Sequence, residues 1–172
     1  MFNIGYIGNG KSTNRYHIPF VLERDNIKIK TIYRRNPEHD TWSKIPGVKY
    51  TSDIYELLND DEINLVVVCT HQDSHYEYAK MVLESNKHCL VEKPFMKTSE
   101  EAKEIFKLAK EKGLIVQTYQ NRRFDSDFLT VQKVIGEGKL GELFEIEMNF
   151  DYYRQEVPEH SKIGRASCRE RV

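Results

Sequence analysis

The sequence has few of the features that direct a protein to nucleic acid, to a membrane or out of the cell. Its 26 basic and 27 acidic residues give a formal net charge of −1, so no overall field attracts a polyanion or an anionic surface. The longest apolar run, residues 65–69, is far too short to span a bilayer. Met1 is followed by no basic segment of the sort that opens a signal peptide. We therefore expect a cytoplasmic protein that binds neither nucleic acid nor membrane.

Cysteine is scarce as well, and its spacing predicts no metal site. The three cysteines are Cys69, Cys89 and Cys168, and the first two lie in apolar runs typical of buried thiols. No spacing of cysteine or histidine matches a metal-binding pattern. We expect reduced thiols and no bound metal.

What the chain does contain is the composition of a folded domain. Hydrophobic residues make up 39% and charged residues 31% of its 172 residues, which is not typical of a disordered chain. This length can hold one domain with a core, or one domain and the start of a second. The sequence has no internal repeat and no low-complexity segment.

Apolar runs that predict strands alternate with patterns that predict helices. The predicted helices include residues 15–23, residues 53–59 capped by Ser52, and two helices that open with capping boxes at Ser74 and Thr98. Strict alternation at this spacing requires right-handed crossovers within one parallel sheet. The predicted fold is therefore α/β, a Rossmann-type parallel sheet flanked by helices. The predicted strands are residues 3–7, 27–33, 48–50, 65–69, 88–91 and 114–119.

The pattern changes after Asn121. Residues 124–135 predict a helix, and residues 143–150 alternate apolar and polar side chains, as does a strand with one wet face. We therefore expect a Rossmann-type domain over residues 1–121, followed over residues 122–162 by the start of an α+β domain.

The last ten residues, 163–172, do not continue this pattern. Their sequence, IGRASCRERV, resembles the in-frame translation of a common sequencing adapter. We expect these residues to be a non-native tail and the natural sequence to end near Lys162.

The first turn can be interpreted in two ways. From Gly5 to Ser12 it reads GYIGNGKS, which matches the P-loop pattern of nucleotide hydrolases. That interpretation leaves a first strand of only residues 2–4. It also requires an acidic strand end to hold magnesium, and the best candidate strand has no carboxylate before Asp73.

The alternative interpretation begins the turn at Gly8. The first strand then has a normal length, Gly8-Asn9-Gly10 makes the tight turn, and the following helix start can hold a pyrophosphate. Thr13 stands where the GxGxxG fingerprint has its third glycine. A small polar residue at that position still allows close helix packing.

The end of the second strand predicts a preference for NADP over NAD. An NAD-binding domain usually has an acidic residue there for the ribose hydroxyls, but this strand is followed by Arg34 and Arg35 with no carboxylate before Glu38. A guanidinium can bind a 2′-phosphate through two parallel hydrogen bonds, and Lys11 adds charge from the glycine loop. We expect NADP as the cofactor, with NAD as the open alternative.

Four further segments carry a family resemblance. They are VCTHQDSH at residues 68–75, VEKP at 91–94, YQNRRFD at 119–125 and GKLGE at 138–142. With the glycine loop, this series resembles the Gfo/Idh/MocA family of oxidoreductases, and within it the branch of NADP-dependent scyllo-inositol dehydrogenases. The Glu-Lys-Pro triplet, together with the Asn-Arg-Arg element, is the specific part of the signal.

The resemblance implies an enzyme with two domains. The Rossmann domain would hold NAD(P), and a C-terminal α+β domain would cover the nicotinamide and often form a homo-oligomer. The substrate would be a sugar, an inositol or a related polyol, and hydride would pass between its carbinol carbon and the nicotinamide. The family's second catalytic element lies beyond Lys162, so we expect the 172-residue chain to be inactive as a dehydrogenase.

The resemblance also assigns roles to side chains at strand ends. Lys93 would contact the nicotinamide ribose and the substrate hydroxyl and would assist proton transfer. Glu92 would orient Lys93 or a ribose, and His71 stands where family members often have proline. Lys93 is the predicted catalytic residue. The predicted cofactor-binding residues are Gly8, Asn9, Gly10, Lys11, Ser12, Arg34, Arg35, Thr70, His71, Glu92, Lys93 and Asn121.

Two other functions compete with a dehydrogenase. A P-loop nucleotide hydrolase would need Lys11 and magnesium for ATP hydrolysis. A non-catalytic dinucleotide-binding sensor would bind the cofactor without turning it over.

Overall fold

The computed structural model describes residues 1–36, 38 and 41–149. The chain forms two compact units, Met1–Gln120 and a second that begins at Asn121. The first unit is built on a sheet of six parallel strands in the order β3-β2-β1-β4-β5-β6. This is the strand order of a Rossmann fold, so the predicted fold class is confirmed. The strands β1 to β6 are Phe2–Ile7, Ile27–Tyr33, Lys49–Thr51, Leu65–Val68, His88–Val91 and Val116–Thr118.

Five α-helices connect or follow the strands in the described residues. None of the helices in this described part is long and apolar enough to cross a membrane. The helices α1 to α5 are Ile18–Leu22, Tyr55–Leu58, His75–Glu84, Ser99–Glu111 and Ser126–Gly136.

The strand β4 is buried on both faces, as its continuous apolar run predicts. Val66 and Val68 pack into one hydrophobic cluster, with residues from α2, α3 and α4. Val67 packs into the other, which includes Ile18 of α1. Alternate side chains of a strand point to opposite faces, so these two clusters are the two sides of the sheet.

The first helix starts earlier than its apolar pattern predicts. Residues 11 and 12 are already helical, Thr13–His17 forms a π-helical turn, and α1 follows without a break. The backbone N–H of Asn14 donates to the carbonyl oxygen of Gly10 at 3.1 Å. The first turn is polar because it adjoins the glycine turn rather than the core, so hydrophobic periodicity does not reveal it.

Two of the predicted helix caps are wrong. Ser52 does not cap α2; instead, Thr51 Oγ1 accepts from the N–H of Asp53 at 3.0 Å, and Asp53 Oδ1 accepts from the N–H of Tyr55 at 2.9 Å. Ser74 occupies the N-cap position of α3 but makes no side-chain cap, and its hydroxyl donates to Thr70 Oγ1 at 2.8 Å. Before α2, the Thr51 hydroxyl and the Asp53 carboxylate take the place of the predicted Ser52 cap.

The capping box at Thr98 is confirmed in its first half. Thr98 Oγ1 accepts from the N–H of Glu101 at 3.2 Å, while the Glu101 carboxylate accepts from the N–H of Lys97 rather than of Thr98. Within α4, Ile105 and Ala109 are buried.

The second unit contains α5, preceded by the 3-10 turn Asn121–Phe124. The predicted strand over residues 143–150 is wrong for residues 143–149, which form no strand. Alternation of apolar and polar side chains is compatible with a strand. A strand also needs a neighbouring strand with which its backbone forms hydrogen bonds. No other strand is present in the described part of this unit. Phe150 and the predicted tail lie outside the described residues.

Candidate functional site

A cleft of about 570 Å³ opens at the carboxyl ends of β1, β2 and β4. The strand order reverses at β1, which has β2 on one side and β4 on the other. Open α/β sheets bind ligands at this switch point, because the connections on either side diverge there. The cleft is lined by Gly8, Asn9, Gly10, Tyr33, Arg34, Arg35, Asn36, Thr70, His71, Ser74 and Tyr78.

The turn at the base of the cleft requires glycine at Gly8. Its φ is 108°, and a Cβ atom there would lie 2.4 Å from the carbonyl oxygen of Cys69. Any other residue would both strain the backbone and collide with the chain just after β4. Gly5, by contrast, pairs with Thr31 and Val66 inside β1. The turn therefore begins at Gly8, and the interpretation as a P-loop has no support.

Side-chain hydrogen bonds hold the glycine turn in place. Thr13 is fully buried, and its hydroxyl donates to the carbonyl oxygen of Gly8 at 2.7 Å. Asn14 Nδ2 donates to Asn9 Oδ1 at 2.8 Å and to the carbonyl oxygen of Gly10 at 3.0 Å. A Cβ atom on Gly10 would meet nothing within 4 Å, so the turn leaves open space above it for a ligand.

The opposite wall of the cleft carries two arginines. The N–H of Arg34 donates to the carbonyl oxygen of Thr51 at 2.9 Å, which fixes the chain as it leaves β2. Arg35 Nη2 donates to the hydroxyl of Tyr78 at 3.1 Å. The Tyr78 ring in turn packs edge-on against Tyr33, with 6.2 Å between ring centroids. No acidic residue lines the described cleft, so its electrostatic character there is basic.

The histidine at the start of α3 has a structural role. His75 is fully buried, and its two ring nitrogens lie 2.8 Å from the carbonyl oxygen of Pro94 and 3.1 Å from that of Thr70. His75 thus links the end of β4 to the turn after β5. His71 is exposed and pairs with Asp73 at 3.0 Å.

Glu92 lies at the centre of a hydrogen-bond network at the end of β5. Its Oε1 accepts from the Ser12 hydroxyl and lies 2.9 Å from His17 Nε2, while its Oε2 accepts from the N–H of Lys93 at 3.1 Å. Burial favours the neutral acid, but hydrogen bonds from His17, Ser12 and the Lys93 backbone outweigh it and lower the pKa of Glu92 to about 2. Glu92 is therefore a carboxylate at neutral pH.

The sequence analysis missed His17. Its side chain is 4% exposed, and its ring lies between Tyr6, at 6.0 Å and nearly perpendicular, and Tyr119, at 4.0 Å between centroids. A single histidine in an amphipathic helix carries no motif. The residue that His17 contacts, Glu92, is far away in the sequence, and no local pattern links the two.

Cys69 lies next to this network. Its Sγ, a His17 ring nitrogen and a Glu92 oxygen fall within 4.8 Å of one another in the described part of the chain. Burial, aided by the Glu92 charge and opposed by a hydrogen bond to Thr13, raises the pKa of the Cys69 thiol to about 12. The thiol is thus neutral and the carboxylate already accepts three hydrogen bonds. We assign this cluster as a hydrogen-bond network and assign no metal to it.

The structure gathers seven of the twelve predicted cofactor residues in the cleft. Of the others, Lys93 is exposed at the end of β5 beside a cis peptide bond to Pro94. Lys11 and Ser12 begin the first helix, and Asn121 belongs to the second unit. The seven are Gly8, Asn9, Gly10, Arg34, Arg35, Thr70 and His71.

Known proteins are similar to this chain in sequence. A family described as oxidoreductases with an NAD-binding Rossmann fold matches residues 2–120. The oxidoreductase YhhX of Escherichia coli is 55% identical over 156 residues, which are 90% of this chain and 45% of YhhX. The scyllo-inositol 2-dehydrogenase (NADP(+)) IolW of Bacillus subtilis is 34% identical over 154 residues, 90% of this chain and 43% of IolW.

A solved structure agrees with the fold. The crystal structure of an oxidoreductase from Bacillus cereus superposes with a TM-score of 0.84 at 48% identity, covering 94% of this chain and 48% of that one. The chain therefore spans less than half the length of these relatives.

Proposed function

Because the chain belongs to the Gfo/Idh/MocA family of oxidoreductases, we propose that it is the nucleotide-binding part of an NADP-dependent polyol or sugar dehydrogenase. The observation that carries this proposal is the cleft at the switch point, with the Gly8 turn on one side and Arg34 and Arg35 on the other.

The described residues fit a dinucleotide. The pyrophosphate would lie over the turn from Gly8 to Gly10, where a Cβ on Gly10 would meet no protein atom within 4 Å. The N–H groups of the following helix start and the Lys11 ammonium would offset its charge. The adenosine would occupy the cleft between Tyr78 and the end of β2.

The proposed preference for NADP comes from the basic wall of the cleft. Arg34 and Arg35 occupy the place where an NAD-binding domain carries an acid for the ribose hydroxyls, and no acid lines the described cleft. Two guanidinium groups can hold a 2′-phosphate that a carboxylate would repel. The name of the relative IolW, an NADP(+) enzyme, supports the same choice.

Lys93 is the proposed catalytic residue. When bound, the nicotinamide would accept or supply hydride. In reduction, the Lys93 ammonium would donate a proton to the substrate carbonyl oxygen as hydride reaches the carbon. In oxidation, the neutral Lys93 amine would accept the proton of the substrate hydroxyl as hydride leaves. The Glu92 carboxylate accepts a hydrogen bond from the Lys93 N–H. This bond fixes the backbone from which the Lys93 ammonium extends.

The family and the relative IolW support the substrate class, and the assembly is proposed from the family resemblance alone. We propose a polyol or sugar as the substrate, an intact enzyme that is a homo-oligomer, and a place in the cytoplasm. The chain would need the segment that its relatives carry beyond the matched half in order to turn over substrate.

The test is cofactor binding by the 172-residue chain. Titration with NADPH, followed by nucleotide fluorescence, should saturate at a 1:1 ratio, whereas Mg-ATP should not compete at similar concentrations. Binding of Mg-ATP in preference to NADPH, or of neither, would contradict the proposal.

A further inference from the structure

We infer that His17 is a positioning residue: its imidazole holds the Glu92 carboxylate where it can bond the glycine turn and the Lys93 backbone together. This inference rests on the proposed function only in that the proposed function makes Lys93 catalytic. The network itself rests on the hydrogen bonds of Glu92.

The carboxylate of Glu92 joins two elements that approach the cofactor cleft from different sides. One oxygen accepts from Ser12, in the first helical turn after the glycines, and the other accepts from the N–H of Lys93. The two donors are 80 and 1 positions away from Glu92 in the chain. A rotation of the carboxylate would break at least one of these bonds.

His17 is placed to prevent that rotation. Its Nε2 lies 2.9 Å from the oxygen that also accepts from Ser12, and because a carboxylate can only accept, Nε2 must donate. The ring cannot swing away, since Tyr6 and Tyr119 flank it. The Tyr119 hydroxyl is itself anchored on the carbonyl oxygen of Tyr16 at 2.7 Å.

Glu92 is the charged group among the titratable side chains that face the His17 imidazole. Cys69 on the end of β4, Tyr6 on β1 and Tyr119 after β6 are the other titratable neighbours. Burial raises the pKa of all three, with the Glu92 charge adding to the effect for Cys69 and Tyr119. All three are therefore neutral at pH 7, which leaves the Glu92 carboxylate as the charged group that faces the imidazole.

The experiment follows the Lys93 backbone amide by two-dimensional NMR of the ¹⁵N-labelled 172-residue chain, without cofactor, from about pH 3 to about pH 7. In the wild type the amide should show no transition from protonation of Glu92, because Glu92 remains ionised throughout this range. His17→Phe keeps an aromatic ring between the two tyrosines but removes the donor. It should raise the pKa of Glu92 by about one to two units, so the Lys93 amide should then titrate within this range.

A rescue variant separates positioning from packing. The side-chain nitrogen of glutamine can reach the place of Nε2, whereas that of asparagine reaches only the place of Nδ1. We expect His17→Gln to keep a flat profile and His17→Asn to behave as His17→Phe. This pair also decides the matter if His17→Phe does not fold. His88→Gln, in the strand that precedes Glu92 but outside the network, serves as the control and should leave the profile unchanged.

A flat profile in both folded His17→Phe and His17→Asn would overturn the inference, as would equal titration in the glutamine and asparagine variants. NADPH binding is measured separately on the same samples. A chain that fails to bind NADPH but shows the expected profiles contradicts the proposed function alone. A chain that binds NADPH with unaltered profiles contradicts the inference alone.

Discussion

Ser12 and Glu92 lie 80 positions apart in the chain, and a hydrogen bond between their side chains joins the glycine turn to the end of β5. The turn after β1 and the Glu-Lys-Pro turn are therefore not two independent motifs. In the folded chain they form one edge of the sheet, with β4 between them. The predictions below test the parts of that edge separately.

Gly8→Ala should destabilise the fold and abolish cofactor binding. The added Cβ would lie 2.4 Å from the Cys69 carbonyl oxygen at a φ of 108°, and strain with a backbone collision of this sort costs about 2 kcal/mol or more. Urea denaturation measures the loss. Gly10→Ala is the matched control for stability, because its Cβ would meet no protein atom within 4 Å. Equal stability of Gly8→Ala and the wild type would contradict the geometry of the turn.

Arg34→Ala should weaken NADPH binding by about tenfold to a hundredfold and leave NADH binding nearly unchanged. A charged hydrogen bond to a phosphate contributes about 1.5–3 kcal/mol, and NADH has no phosphate at that position. Fluorescence titration with both nucleotides measures the two affinities. Arg24→Ala, at the turn before β2, is the control. An equal loss for both nucleotides would place Arg34 elsewhere than at the 2′-phosphate.

Tyr78→Phe should lower NADPH affinity by a few-fold, again with little effect on NADH. The change removes only the hydroxyl that accepts from Arg35 and keeps the ring that packs against Tyr33. Tyr76→Phe removes a hydroxyl on the same helix outside the cleft and should change neither affinity. If Tyr78→Phe weakens NADH equally, the tyrosine acts on the adenine rather than through Arg35.

Glu92→Gln should destabilise the fold in a pH-dependent way. The pKa of Glu92 falls to about 2 in the folded chain, below its value of about 4.3 when unfolded. Its stabilising effect is thus fully present above about pH 4.3 and is lost as the pH falls towards 2. The expected difference in unfolding free energy from the wild type is about 2–3 kcal/mol at pH 7 and shrinks towards pH 2.

Denaturant curves at several pH values measure that difference. Glu77→Gln, exposed on α3, should change stability little at any of them. A difference for Glu92→Gln that stays constant from neutral to acidic pH would show that its charge does not stabilise the fold.

Lys93→Ala should separate catalysis from binding. In the whole enzyme we expect kcat to fall by about two to four orders of magnitude, as for the loss of a positioned acid–base group. NADPH affinity should change much less, because Lys93 does not line the cleft. Steady-state kinetics with a polyol substrate and NADPH titration measure the two effects. Wild-type turnover in this variant would make Lys93 a structural residue.

The sequence by itself predicted the sheet and the place of its cleft. Apolar runs, glycine turns and the Thr98 cap are local patterns, because each depends on neighbours a few positions away. The strand Ile27–Tyr33 and the strand His88–Val91 therefore occur as predicted, and the turn begins at Gly8. The resemblance then led to the family.

Only the tertiary structure decided which side chains meet. His17 and Glu92 are 75 positions apart, and Arg35 and Tyr78 are 43 apart, so no periodicity or motif could pair them. Ser74 had the sequence of a capping residue, yet the fold brought Thr70 within reach of its hydroxyl. The alternation over residues 143–149 predicted a strand that lacks a partner in the described chain. Local patterns limit which structures a segment can form, whereas hydrogen bonds between distant segments decide which of these structures it adopts.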